Sequence, residues 1–312
     1  MTALATRAKP ATSPPPAKIM RRRRREGPWF GWVLVAPAAG ALLLITAFPL
    51  VYNAMNSVRH VDLLDGSSRP FVGTENYRRL FSEHTFVPAL EHTLGFTAVS
   101  VTLEVAVGLV LALLLNMPFR GRGLLRASLL IPWAVPTAVA ATLWRNMFDR
   151  SNGFVDYLLG ALHLPGAHVT WLANTWSSWV MVLVTDAWQS TPLVAILLLA
   201  GLQSVPAEVY EAGRIDGASR WQSFRYLTWP LLRPALMVAV VFRALSALLI
   251  FDVIYVVTGG GPGNSTETLS FVNYHAFLVD NNFGYGGAIS ISMLITTVMV
   301  ALLLRRVLAA RC

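Results

Sequence analysis

The chain has 312 residues, 55% of them hydrophobic and only 13% charged, with a formal net charge of +9. A soluble domain carries about a quarter charged residues, so this deficit, with apolar runs of about 20 residues, predicts an all-α membrane protein. The runs are continuous and do not alternate, which excludes a transmembrane barrel.

Residues 1–28 include TSPPPAKIMRRRRREGP, which ends in five arginines and a Gly-Pro pair. So polar and Pro-rich a segment buries no apolar area, and it is expected to be a disordered tail. The following run, WFGWVLVAPAAGALLLITAFPLVY, is too long for a signal-peptide core and lacks a clear cleavage site. It is read as an uncleaved first helix.

Residues 29–312 then form one domain of six transmembrane helices, at about 30–53, 91–116, 124–146, 179–203, 230–257 and 286–304. Placing both termini in the cytoplasm puts eighteen Lys/Arg in the tail, the inner loops and the C-terminus, against six on the other side. That asymmetry is the positive-inside rule, and it accounts for the basic excess without nucleic acid. It also places the polar segment 204–229 in the cytoplasm.

That segment holds EAGRIDGASRWQSFRYLTWP between two long apolar runs. Its residues suggest two short helices joined at Gly217, whose backbone tolerates a sharp turn. Pro206 and the early acids open the first helix, and Asp216 or Ser219 would cap the second. Trp221, Phe224 and Leu227 follow at helical spacing, and Pro230 ends the segment. The residues alone leave two readings open, a rigid docking knob or an amphipathic loop on the lipid surface.

The spacing resembles the "EAA" loop of permease subunits in bacterial ATP-binding-cassette importers. That pattern is Glu-Ala-Ala, three residues, Gly, nine residues, then Ile-x-Leu-Pro. Here Glu211, Ala212 and Gly213 are followed by Gly217 and by Leu227-Thr228-Trp229-Pro230. Gly213 for alanine, Leu227 for isoleucine and Trp229 for leucine are the departures, the first expected to loosen the first helix by roughly 1 kcal/mol. The longer run IDGASRWQSF, with Asp216 and Ala218, is similar to the sugar-transporting branch. So are TGGGPGNSTETL and FVGTENYRRLF. The branch includes maltose-F-like, glycerol-phosphate-A-like and trehalose-type permeases.

The resemblance implies a type I importer transmembrane domain in the bacterial plasma membrane, one half of a heterodimer with a second permease subunit. It implies two copies of an ATP-binding subunit, which hold ATP and Mg²⁺, and an extracytoplasmic sugar-binding protein. The loop would be a coupling helix, with Glu211 docking in the ATPase, Gly217 forming the bend, and Trp221 and Phe224 anchoring the knob to its own helices. This chain has no Walker motif, so it is expected to bind no cofactor and to catalyse no reaction.

Charges inside spans raise functional hypotheses. Asp186, Gln189, Ser190 and Leu193 lie at i, i+3, i+4 and i+7 and share one helix face. Pro192 frees a carbonyl beside them, and Trp188 offers an aromatic face for a sugar ring. Arg243, Ser246, Ala247 and Ile250 form a similar stripe. The resemblance implies that both stripes line the sugar pathway. Asp186 and Arg243 either touch cargo or pair with each other or with the second subunit. Arg243 would suit a glycerol phosphate, whereas the nearby acid favours a neutral sugar. Asp252 lies nine residues after Arg243, about half a turn out of phase, so the two cannot share a face, and Asp252 is expected near the outer end, helping to shape the TGGGP turn. Glu104 is read as a helix-pairing group.

Other chemistries find little support. The glycines 259–261 lack the lysine and helix of a phosphate loop, and the six histidines show no metal spacing. A lone cysteine, Cys312, excludes an internal disulfide framework. An ion-coupled transporter with Glu104, Asp186 and Asp252 as proton carriers would show uptake abolished by uncouplers in the presence of ATP, and no stable ATPase partner. A membrane enzyme or scaffold lacks a catalytic constellation and leaves the loop motif unexplained.

Overall fold

The computed structural model describes residues 28–64, 69–164 and 169–309. The expected disordered tail lies almost wholly outside them. By internal contacts the chain divides at Pro49, with residues up to Pro49 in one unit and Leu50 onward in a second, much larger one. In the first unit the described residues are helical and apolar, the opening of α1 (Pro28–Ser57).

The second unit is mostly helical, its helices joined by turns and loops, and its only strand-like pairings among the described residues are two isolated bridges, Arg59 with Phe71 and Asp62 with Asn282. Five helices are long and apolar enough to cross a membrane, or six if a bent pair is one span. Besides α1 these include α3 (Phe86–Asn116), α8 (Thr175–Gln203) and α14 (Phe283–Ala309). The fifth begins at α10 (Arg220–Gln222) and runs through a π-helical stretch, Ser223–Thr228, into α11 (Trp229–Leu248).

The sequence reading ended a short helix before Pro230, whereas the helix continues through it. Trp229 N–H donates five residues back, to Phe224 O. A π turn widens the helix just ahead of Pro230, where the ring would otherwise crowd the preceding carbonyls and no N–H is available to bond.

The core is built by α3, α8 and α11. Small residues set their separation: a β-carbon on Gly108 of α3 would stand 2.9 Å from the Val194 side chain of α8, and one on Gly201 of α8 would stand 2.3 Å from Cβ of Ala235. Close backbone approach of this kind is how apolar helices gain packing where lipid offers no hydrophobic drive. Leu115, Leu198, Leu202 and Leu232 fill the end of this contact nearest the 204–219 loop. Phe96, Met181, Val253 and Ile254 fill the opposite end. A third cluster joins α2 (Glu75–Ser82), the start of α3, α13 (Leu269–Tyr274) and α14 through Leu80, Phe86, Leu269 and Ile289.

Two of the expected spans are broken. The third consists of α4 (Arg122–Leu129) and α5 (Ile131–Ala134), which bend by 92° from α6 (Thr137–Met147). The bend falls at Val135-Pro136, where proline forces its predecessor into extended backbone, ψ 133°. The expected fifth span stops at Leu248 and restarts as α12 (Asp252–Val257). Each break is clasped from outside. Gln189 Nε2 donates to Val135 O at 2.8 Å, and Thr268 Oγ1 donates to Ile250 O at 3.1 Å. A carbonyl freed from a helix in an apolar bundle must find such a donor.

The segment 258–268 is tightly folded. Thr266 Oγ1 stands 2.8 Å from both Gly261 O and Thr258 Oγ1, its one proton serving one of them at a time, and Trp179 Nε1 donates to Ser265 O. Thr258 and Thr266, not Asp252, shape the TGGGP turn. Gly260 has φ +83°, and a β-carbon there would strike Phe271.

Candidate functional site

A cavity of about 520 Å³ opens where the two broken helices face α8. Asp186, Gln189, Ser190 and Leu193 line it from one face of α8. Arg243, Ser246 and Ile250 line it from α11 and the residues beyond, and Trp133, Thr137 and Phe251 come from the breaks. Two of the predicted residues lie elsewhere. Ala247 is fully buried in the core. Trp188 turns away and meets Trp144 edge to face at 5.9 Å. The aromatic wall is instead supplied by Trp133, Phe242 and Phe251.

Behind the cavity Arg243 is enclosed by acids from two other helices. Its Nε donates to Glu104 Oε2, and its Nη2 donates to Glu104 Oε1 at 2.8 Å and to Asp186 Oδ2. Ser100 Oγ stands 2.8 Å from Glu104 Oε1 and 2.7 Å from Asp186 Oδ2, and its single proton serves one of them at a time. All three charged side chains are at least nine-tenths buried. Charges so far from water persist only when paired and hydrogen-bonded. Asp186 and Arg243 therefore pair with each other, with Glu104 completing the set. Ser100, one helical turn before Glu104, is the member the sequence reading missed.

Asp252 also lines the cavity. It shares the cavity with Arg243, contrary to the expected half-turn offset, because the helix between them is broken at 249–251. Its side chain is exposed, as the first residue of α12.

The segment after α8 is a compact knob. α9 (Ala207–Ile215) ends in a Schellman turn: Ala218 N–H donates to Gly213 O at 2.9 Å and Gly217 N–H to Arg214 O at 3.1 Å, with Gly217 at φ +76°. Ser219 caps α10, with a reciprocal bond from its own N–H to Gln222 Oε1. Of the two expected caps, Ser219 fills the position, while Asp216 ends α9.

Gly213 is buried, and a β-carbon there would stand 2.7 Å from Leu227 Cδ1, so the missing methyl admits Leu227. Tyr210 Oη lies 3.3 Å from Thr228 Oγ1, a second tie between α9 and the π stretch. Phe224 stacks on Trp221 and meets Trp229 at a tilt. Trp221, expected as an anchor, is 71% exposed. Glu211, Ala212 and Asp216 are exposed as well, Ala218 is half-buried, and Pro230 lies at the start of α11.

Helices long and apolar enough to span a membrane, a cavity at two broken helices and a compact knob between α8 and α11 fit a membrane transport component. Residues 104–312 match the family model described as "Binding-protein-dependent transport system inner membrane component", and the chain belongs to that family. It is 40% identical over 261 residues to the trehalose/maltose transport system permease protein MalF of Thermococcus litoralis, covering 84% of this chain and 87% of that one. It is 36% identical over 260 residues to the trehalose transport system permease protein SugA of Mycobacterium tuberculosis, covering 83% and 82%. A chain of a bacterial ABC transporter that imports the acidic polysaccharide alginate has the same fold, with a TM-score of 0.78 at 20% identity over 90% of this chain and 96% of that one.

Proposed function

We propose that this chain is the permease subunit of an ATP-driven importer of disaccharides or similar sugars, forming half of the pathway and working by alternating access. It pairs with a second permease, two copies of an ATP-binding subunit and an extracytoplasmic sugar-binding protein. Nucleotide and Mg²⁺ belong to the ATP-binding subunits, and this chain carries out no reaction. It lies in the bacterial plasma membrane with both termini and the 204–229 segment in the cytoplasm, as the arginine asymmetry supports.

The observation that carries this reading is the mechanical link between knob and cavity. α9 is held to the π stretch by the Tyr210–Thr228 and Gly213–Leu227 contacts. The helix from Arg220 to Leu248 is one run of 29 residues, roughly 43 Å long. Force applied at the exposed face of α9, around Glu211, reaches Arg243 along this rod and enters α8 through residues 204–206. The cavity itself suits a sugar. Gln189, Ser190 and Ser246 offer hydroxyl and amide partners, and Trp133 and Phe251 offer flat surfaces for the C–H face of a ring.

Mild detergent extraction from native membranes tests the assembly. An ATP-binding subunit and a second permease should co-purify in near-stoichiometric yield. Repeated recovery of the chain alone, with uptake abolished by an uncoupler in the presence of ATP, would assign it to ion-coupled transport.

A further inference from the structure

The ionisable groups at the cavity fall into two sets. Arg243 is occupied on Nε and Nη2 by Glu104 and Asp186, and Asp186 Oδ2 faces Ser100 as well. These groups answer one another. Asp252 differs: its carboxylate lines the same cavity and makes no hydrogen bond or ion pair to any described residue. Both its oxygens are uncommitted acceptors, in a cavity that Phe251, Gln189 and Ser190 also line.

We propose that Asp252 is the residue that grips the cargo, accepting two hydrogen bonds from a vicinal pair of sugar hydroxyls, while Glu104, Arg243 and Asp186 form a closed set that positions the wall without binding cargo. This rests on the sugar-importer reading above. A carboxylate and a vicinal diol match as two acceptors and two donors, and charge-assisted bonds of this kind are the strong ones. A consequence follows for charge. The closed set counts two carboxylates against one guanidinium, so by formal charge Asp252 adds a further negative group to a cavity that has no uncompensated positive one. Phosphorylated or carboxylated sugars meet repulsion there, and neutral polyols do not.

The test uses the complete complex in proteoliposomes with ATP, its sugar-binding protein and labelled trehalose or maltose. D252N should raise KM about tenfold or more, equivalent to ~1.4 kcal/mol, with little change in the melting temperature of the complex. D252E should recover much of the loss. Trehalose 6-phosphate should compete poorly with wild type and better with D252N. A wild-type KM in D252N overturns the inference and leaves the importer reading standing. So does a KM rise that D252E does not recover and that a lower melting temperature accompanies, because that is the signature of a folding role. A wild-type complex that transports neither disaccharide overturns both.

Discussion

Arg243 Nη2 stands 2.8 Å from Glu104 Oε1, joining α11 to α3 across 139 residues of chain. With Asp186 of α8 as the third member, one guanidinium holds together the three helices that make the core. Removing it leaves two carboxylates facing each other out of water. R243M should therefore destabilise the purified complex by about 3 kcal/mol or more, read as a lower melting temperature. Adding E104Q and D186N should return part of that loss, because the stranded charges go with it. A triple variant no more stable than R243M would show that the charges are not what the arginine holds.

The approach of α8 to α11 gives a steric prediction. Gly201 has no room for a β-carbon against Ala235. Gly201→Leu should cost about 1–3 kcal/mol through overpacking, despite leucine's better helix propensity. Gly123, with open space around it, is the control, and Gly123→Ala should be neutral or slightly stabilising. Equal melting temperatures for the two variants would contradict the packing described.

Much of this architecture is legible from residues alone. Continuous apolar runs show where helices such as α3, α8 and α14 must lie, because lipid demands internal hydrogen bonding. The one-sided stripe of Asp186, Gln189, Ser190 and Leu193 follows from a period of 3.6, and α8 keeps that period through Pro192. The breaks are not legible in the same way. Val135-Pro136 carries a proline signal, but prolines 192 and 234 carry the same signal inside helices that continue. What separates them is tertiary: Gln189 comes from 54 residues away to satisfy the Val135 carbonyl. The break at 249–251 has no proline or glycine, and it depends on Thr268 reaching Ile250 O. Missing it put Asp252 on the wrong face. Gly213 looked like a weak helix position because its partner, Leu227, lies across a turn.

For the knob, charge reversal at an exposed position separates coupling from folding. Glu211→Lys should keep the melting temperature, since Glu211 is exposed. It should abolish stimulation of ATP hydrolysis by the sugar-loaded binding protein. Normal stimulation in this variant would remove Glu211 from the coupling role.

Acidity should act on the 258–268 segment through Glu267. Burial pushes its carboxyl above the usual range, partly opposed by His275 and His92. A carboxyl with a raised folded-state pKa contributes stability that is present below its unfolded value and lost as pH rises through the folded one. Glu267→Gln should thus be more stable than wild type near pH 7.5, with the advantage shrinking as pH falls toward 4.5. A difference in melting temperature that is flat across that range would contradict the assignment.

The most direct test is uptake itself. Proteoliposomes holding the complete complex and internal ATP should accumulate labelled trehalose or maltose only when the sugar-binding protein is outside and ATP is hydrolysable. Accumulation should survive collapse of the proton gradient. Sugar uptake that proceeds without ATP and stops with an uncoupler would contradict the assignment of this chain to an ATP-driven sugar importer.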